Sequence, residues 1–392
     1  MLGWLDTETR DQSFSEDDVP LLAMLSDTRA LVGYGPAEML PRGPTATLGR
    51  RVQDFFNSHP SASLVAGALP FERDALDCLS AVARVDAELP PVRSSQSAVG
   101  QYWSLQEQPS AAIYAAAVVH ALNAMREASG PSTLRKVVLA RSLLAVSDRP
   151  VEIDGLLRRL HADSSVTTFL VPLPPGQDGV PRRLVGATPE LLVSRTGRHV
   201  VSHPLAGSAP RDVDPVVDQA ARNSLAESEK DRREHALVAE FILDVLAPHC
   251  RSLAAPGGAQ IRATRSMWHL GTHIEGELRD PSLSAADLAA MLHPTPAVCG
   301  VPRDRAAALI SELEPMKRGF YAGAFGWCNR VGDGAWHVSI RCAELSGGNA
   351  RLYAGAGIVP GSEPEAEVRE TKAKFRAMLH ALGVDAAAEA GA

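Results

Sequence analysis

Apolar residues recur along this chain in two rhythms, and the switches between them outline its elements. From 32 to 70, short apolar runs broken by Gly and Pro predict strands and loops. Residues 111–128 are Ala-rich, with Ile113, Ala117, Val118, Leu122 and Met125 at helical spacing, and Gly130-Pro131 stops that helix. The run KVVLARSLLAV over 136–146 is apolar and β-branched enough for a strand. Further strands are predicted over 167–174 and 183–204, with a turn at Thr196-Gly197. The period then lengthens. Residues 224–249 predict one long amphipathic helix carrying Leu237, Phe241, Leu243, Val245 and Leu246 among its apolar positions, and helices over 285–292 and 304–313 follow. Residues 320–359 predict a three-stranded antiparallel meander turning at Gly332-Asp333-Gly334 and Gly347-Gly348-Asn349, and 363–382 predict a closing helix. Strand clusters separated by helices, without strict βαβ alternation, predict an α+β fold with largely antiparallel sheets. The polar residues 1–20 are expected to form a flexible lead, and 21–392 a single domain, since no repeat or long linker interrupts the order.

Composition narrows the function classes. With 45% hydrophobic and 22% charged residues the chain reads as an ordinary globular protein. A net charge of −7 speaks against nucleic-acid binding, which leaves a basic footprint. No apolar run approaches the roughly 18 residues of a membrane span. The acidic N-terminus lacks the basic segment and apolar core of a secretory signal. Five scattered cysteines without a CxxC pair predict reduced thiols in the cytoplasm, not a zinc or disulfide site.

The C-terminal region carries the chemistry. It strings together HPTPAVCGVP (293–302), GWCN (326–329), SIRCAEL (339–345), YAGAGIVPGS (353–362) and VRET (368–371). Glycines there relieve backbone positions of their side chains, as where a chain turns or approaches a ligand closely. Among them sit Arg341, the small residues Ala297, Ala354 and Ala356, and the acids Glu367 and Glu370. Such a lining suits a small, anionic, oxygen-rich substrate held with a metal. These phrases closely resemble the C-terminal half of the chorismate-utilising enzymes, most closely the isochorismate synthases of catecholate siderophore pathways. The resemblance is strong over 130–378 and weak over 20–130. It implies two antiparallel sheets sandwiched between helices, with the site between them.

The same resemblance implies roles for individual residues. Lys136, alone a strand lysine facing solvent, matches the lysine that takes a proton from the attacking water; a lysine acting as base near neutral pH needs a lowered pKa. Where ammonia attacks instead, as in the anthranilate and aminodeoxychorismate synthases, the matching residue is not lysine. Glu190 in GATPELLV, beside a turn where a glutamate is ordinarily exposed, matches the acid that protonates the departing C4 hydroxyl. Together they fit an allylic substitution in which water enters at C2. Glu234 in SEKDRREH and Glu370 match magnesium ligands, with Glu367 a helical turn before Glu370; Mg²⁺ typically uses one or two protein carboxylates and keeps several waters. Glu229, Lys230, Asp231, Arg232 and Arg233 read as a solvated helix face with i,i+4 pairs, and Glu370 could equally pair with Lys374. Substrate contacts are implied for the backbone at Ala206 and Gly207, for His269, for the cations Arg341 and Lys374, and for Gly355 and Gly357, where backbone amides could approach. His120, His249 and His380 are expected to be bystanders.

The resemblance therefore implies a cytoplasmic, Mg²⁺-dependent isomerase of chorismate and isochorismate, with a downstream isochorismatase or pyruvate lyase consuming the product. Its motif wording leans to 2,3-dihydroxybenzoate over menaquinone, and salicylate supply through a separate lyase stays open as a route for the product. A salicylate synthase is the first alternative, but the lyase members carry threonine where this chain has Ala297. A catalytically silent chorismate-binding scaffold is the second, set against the intact group Lys136, Glu190, Glu234 and Glu370.

Overall fold

All strand pairings among the described residues are antiparallel, and they build two large sheets and one small one. The computed structural model describes residues 20–35, 37–89, 101–127, 130, 133–176 and 178–384. The lead expected over 1–20 lies outside these residues except for Pro20.

Near one edge of the ten-stranded sheet the long strand Lys136–Ser147 pairs along its length with Asn349–Ile358. From there the sheet runs through Cys342–Ser346, Arg182–Thr188 and Thr167–Leu173 to the N-terminal strands. The nine-stranded sheet has Leu191–Thr196, Gly334–Val338 and Ala324–Asn329 at its middle. The third sheet joins Leu205–Pro210, Met267–Thr272 and Ala259–Ala263.

The alternation of strand side chains explains why both large sheets could pack. In Thr167–Leu173, Phe169, Val171 and Leu173 face the core between the sheets, whereas Leu170 faces a second core. Phe169 stacks on Phe325 of the other sheet, with ring centroids 3.8 Å apart. The second core lies under the helices Ile153–His161 and Pro364–Leu382, which supply Leu156, Leu157, Leu160, Phe375, Met378 and Leu379. A strand covered on both faces is apolar at successive positions, which is why KVVLARSLLAV shows no clean alternation. The helix Ala285–Leu292 covers the nine-stranded sheet and packs against Leu48–Ser58, while Pro215–Glu227 and Glu229–Leu246 pack on the small sheet.

The α+β class with antiparallel sheets is what the sequence pattern predicts, and three local expectations need correction. The single helix over 224–249 is two helices, Pro215–Glu227 and Glu229–Leu246. Ser228 breaks them: its backbone is extended (φ −64°, ψ 111°) and its hydroxyl accepts the Asp231 N–H at 3.2 Å, capping the second helix. The stretch 32–70 contains the helix Leu48–Ser58, which buries Leu48, Val52, Phe55 and Phe56 on one face. The three-stranded meander over 320–359 is instead two hairpins in different sheets, Ala324–Asn329 with Gly334–Val338 and Cys342–Ser346 with Asn349–Ile358. Between them the chain crosses from one sheet to the other, and Arg341 takes a left-handed φ of 53° there. All five cysteines are buried and free, as the composition predicts.

Candidate active site

The sheet crossings create the site. Glu190 lies where the chain leaves Arg182–Thr188 of the ten-stranded sheet and enters Leu191–Thr196 of the nine-stranded one. Arg341 lies at the reverse crossing. The two crossings are tied by backbone hydrogen bonds, Val338 N–H to Glu190 O at 3.1 Å and Ala187 N–H to Arg341 O at 3.2 Å. Beside them opens a partly enclosed cleft. Its walls include Glu190, Ala206, Gly207, Glu234, His269, Ala297, Arg341, Gly355, Gly357, Glu370 and Lys374. Of the thirteen residues singled out in the sequence, this leaves Lys136 and Glu367 just behind the wall.

Lys136 opens its strand wholly buried, not facing solvent, with Nζ 3.0 Å from Glu234 Oε1. That contact is an ion pair without the geometry of a directed hydrogen bond. Room for it comes from Gly357 on the neighbouring strand. A Cβ there would stand 1.9 Å from Glu234 Oε1 and 3.1 Å from Lys136 Cε, so any side chain would displace the pair. Gly357 thus serves the carboxylate–ammonium pair, beyond the backbone approach expected of it. Gly355 has a different task, since its carbonyl accepts a hydrogen bond from Lys374 Nζ at 2.8 Å. Gly207 takes a φ of 79° that glycine tolerates at little cost, and lies against Asp231.

Glu190 is buried rather than exposed at its turn. Burial pushes its carboxyl up to about 8, against the lowering pull of the Leu205 backbone, Lys136, Arg341 and Lys374. At neutral pH it therefore keeps its proton and can donate it. His269, on the strand facing Ser208, is driven well below its ordinary value by burial and by Arg341 and Lys374, so it is a neutral hydrogen-bonding group. Burial also draws Arg341 down, while Glu370, Tyr321 and Glu190 counter that effect.

Two helices bring a set of acids to the other end of the cleft. Glu370 pairs with Lys374 at 2.6 Å and accepts the Ser208 hydroxyl at 2.9 Å. Burial opposes its charge, but Lys374, Ser208 and Lys230 outweigh it and hold the carboxyl below its usual value. Glu367 shifts the other way, raised by burial and by Glu370 despite Lys230 at 2.7 Å. Lys230 and Asp231 are accordingly not part of a solvated face. Lys230 reaches across to Glu367, and burial together with Glu234 and Glu370 raises Asp231, although Glu229–Arg233 is the expected i,i+4 pair.

These carboxylates fit a hard divalent cation. Glu367 Oε2 is buried without a well-formed hydrogen bond, and the neighbouring acids are all oxygen donors. Among the described residues no three acidic, His or Cys side chains form a ready-made cage. A cation held there would take one or two protein carboxylates and complete its shell with water and ligand, as Mg²⁺ commonly does.

A sequence profile described as chorismate binding enzyme matches residues 72–383. The chain belongs to that family. It is 42% identical to the isochorismate synthase DhbC of Bacillus subtilis (strain 168), over 97% of this chain and 98% of the relative. The vibriobactin-specific isochorismate synthase of Vibrio cholerae is 41% identical over 73% of this chain and 70% of its own. The crystal structure of DhbC from Bacillus anthracis superposes with a TM-score of 0.86 at 37% identity, covering 93% of this chain and 96% of that one.

In this chorismate binding enzyme the cleft and its support also include residues that the sequence pattern did not single out. Tyr321 and Tyr353 stack with centroids 4.8 Å apart and line the cleft. Their separation along the chain leaves no local signal. Arg318 is wholly enclosed, with its guanidinium bonded to Val298 O, Val138 O and Glu314, and Glu314 also accepts the Ala140 N–H. This pair fastens the Ala297 loop to the Lys136 strand. His120 and His380 are exposed and His249 is half-buried, all three outside the cleft wall. No helix among the described residues is long and apolar enough to cross a membrane.

Proposed function

We propose that this protein is an isochorismate synthase, an isomerase that interconverts chorismate and isochorismate for a 2,3-dihydroxybenzoate siderophore pathway. The observation that carries the reading is a proton donor and a buried lysine at one cleft: Glu190, protonated up to about 8, and Lys136. Acting as general acid, Glu190 protonates the C4 hydroxyl as it leaves the ring, and Lys136 is the base that takes the proton of the water that adds at C2. The proton given up at one end is regained at the other, so the reaction is reversible and consumes no co-reactant. Neutral His269 and the backbone at Ala206 and Gly207 would orient the ring hydroxyls, and Arg341 a substrate carboxylate. Glu234 and Glu370 would hold Mg²⁺, with Glu367 and Lys230 behind them. The ion would neutralise the second carboxylate of the substrate and help fix its pose.

The near full-length match to DhbC and the match to the vibriobactin-specific enzyme support the siderophore assignment. The five buried free thiols support a cytoplasmic location, and walls drawn from several sheets support 21–392 acting as one catalytic domain. Product analysis tests the activity. Incubation with Mg²⁺ and chorismate, or with Mg²⁺ and isochorismate, is expected to reach the same mixture of the two. A mixture that differs with the starting isomer, or no conversion, would refute the proposal.

A further inference from the structure

A second cavity adjoins the first, and Pro189, His269 and Arg341 belong to the walls of both. Its remaining charged wall is basic: Arg159, Arg265 and Arg376 face the single carboxylate of Asp163. That carboxylate is already engaged, accepting from the Ser165 hydroxyl at 2.5 Å and from the Arg265 backbone N–H at 2.9 Å. Arg159 is partly spent as well, with Nε donating to Ala381 O at 2.5 Å. The side chains of Arg265 and Arg376 are exposed and have no ion pair or hydrogen bond among the described residues. Both stand on ordered elements. Arg376 is two residues beyond Lys374 on the closing helix, and Arg265 lies in the turn before the strand that carries His269.

This local charge opposes that of the whole molecule. A chain of net charge −7 repels a dianion at long range. A concave wall of opposite sign focuses the field and raises the local concentration of such a ligand. Among the described residues these two guanidiniums have no partner, and they share their cavity with Arg341.

We propose that the second cavity is the entrance vestibule for the dicarboxylate substrate, in which Arg265 and Arg376 gather the dianion and Arg341, common to both walls, passes it into the cleft. The proposal rests on the isochorismate synthase reading. It assigns Arg265 and Arg376 to capture, not to the chemical step.

Stopped-flow association of chorismate in the presence of Mg²⁺, together with steady-state rates, tests it on wild type and on the double variants R265Q/R376Q, R265E/R376E and R265K/R376K. The charge-reversed protein is expected to associate about tenfold or more slowly at low ionic strength, with kcat/KM falling and kcat nearly unchanged, because steering changes on-rates by 10–10³. High salt should shrink the difference, the Gln variant should fall between, and the Lys variant should retain the wild-type behaviour. An active wild type whose charge-reversed variant associates as fast as it does, or shows a deficit that salt leaves unchanged, overturns the vestibule alone. A wild type that leaves chorismate unconverted overturns the synthase reading, and the vestibule falls with it.

Discussion

Lys136→Ala and Glu190→Ala are each expected to lower chorismate turnover by about 10²–10⁴-fold while chorismate still binds, the range of general acid–base catalysis. The reason is positional: in the proposed reaction both groups would act on the proton at the reacting centre, whereas Arg341 and the cleft backbone would hold the substrate. Lys136→Ala also leaves Glu234 buried without its partner, so thermal melting should accompany the rates to show that the fold persists. A folded variant of either residue that keeps more than about a tenth of the wild-type rate would contradict the assignment. The pH profile supplies an independent readout. Glu190 must be protonated to donate, so kcat/KM is expected to fall as pH rises through about 8. The same shift has a stability counterpart. The folded protein holds this proton where the unfolded chain, with the ordinary value of 4.5, has released it. Stability from this group is therefore complete below about 4.5 and declines as pH rises toward 8, and Glu190→Gln should remove that slope.

The second large effect concerns the metal. Glu234→Gln and Glu370→Gln are expected to depress Mg²⁺-dependent turnover by roughly two orders of magnitude or more, since each removes one of at most two protein carboxylates on the ion. A measurement that does not depend on turnover is the melting temperature. A ligand that binds only the folded state stabilises it, so on the proposed reading Mg²⁺ should raise the Tm of the wild type and do so less in either variant. Full activity of the wild type in excess chelator would remove the ion from the account.

Much of this could be read from the chain, and the remainder was hidden for definite physical reasons. The helices over 285–292 and 363–382 were legible from their apolar spacing, and the structure shows that both end on caps. Ser284 and Asp287 form a capping box before Ala285–Leu292, and Gly383 closes Pro364–Leu382 in a left-handed conformation. The break at Ser228 carried the same kind of signal but was masked by the continuous helical period on either side. Which sheet a strand joins is decided by tertiary contacts, and so a local pattern showed one meander where the chain makes two hairpins. The motif residues around Ala297, Arg341, Gly355 and Glu370 do converge on one cleft. What the motifs did not convey was how their charges are balanced. Lys230 looked like a surface residue of a charged helix because its partner, Glu367, is 137 positions away. The small volume that Gly357 leaves for the Lys136–Glu234 pair likewise becomes visible only once the strand and the helix are in place.

The central claim is that water enters the ring as the original hydroxyl leaves, without loss of the enolpyruvyl group. Chorismate incubated with the protein and Mg²⁺ in ¹⁸O-enriched water, followed by mass spectrometry of the separated products, tests it most directly. The expected products are isochorismate carrying one heavy oxygen, chorismate acquiring the label as the reaction runs back, and little pyruvate. Unlabelled isochorismate, or stoichiometric pyruvate with salicylate, would contradict it.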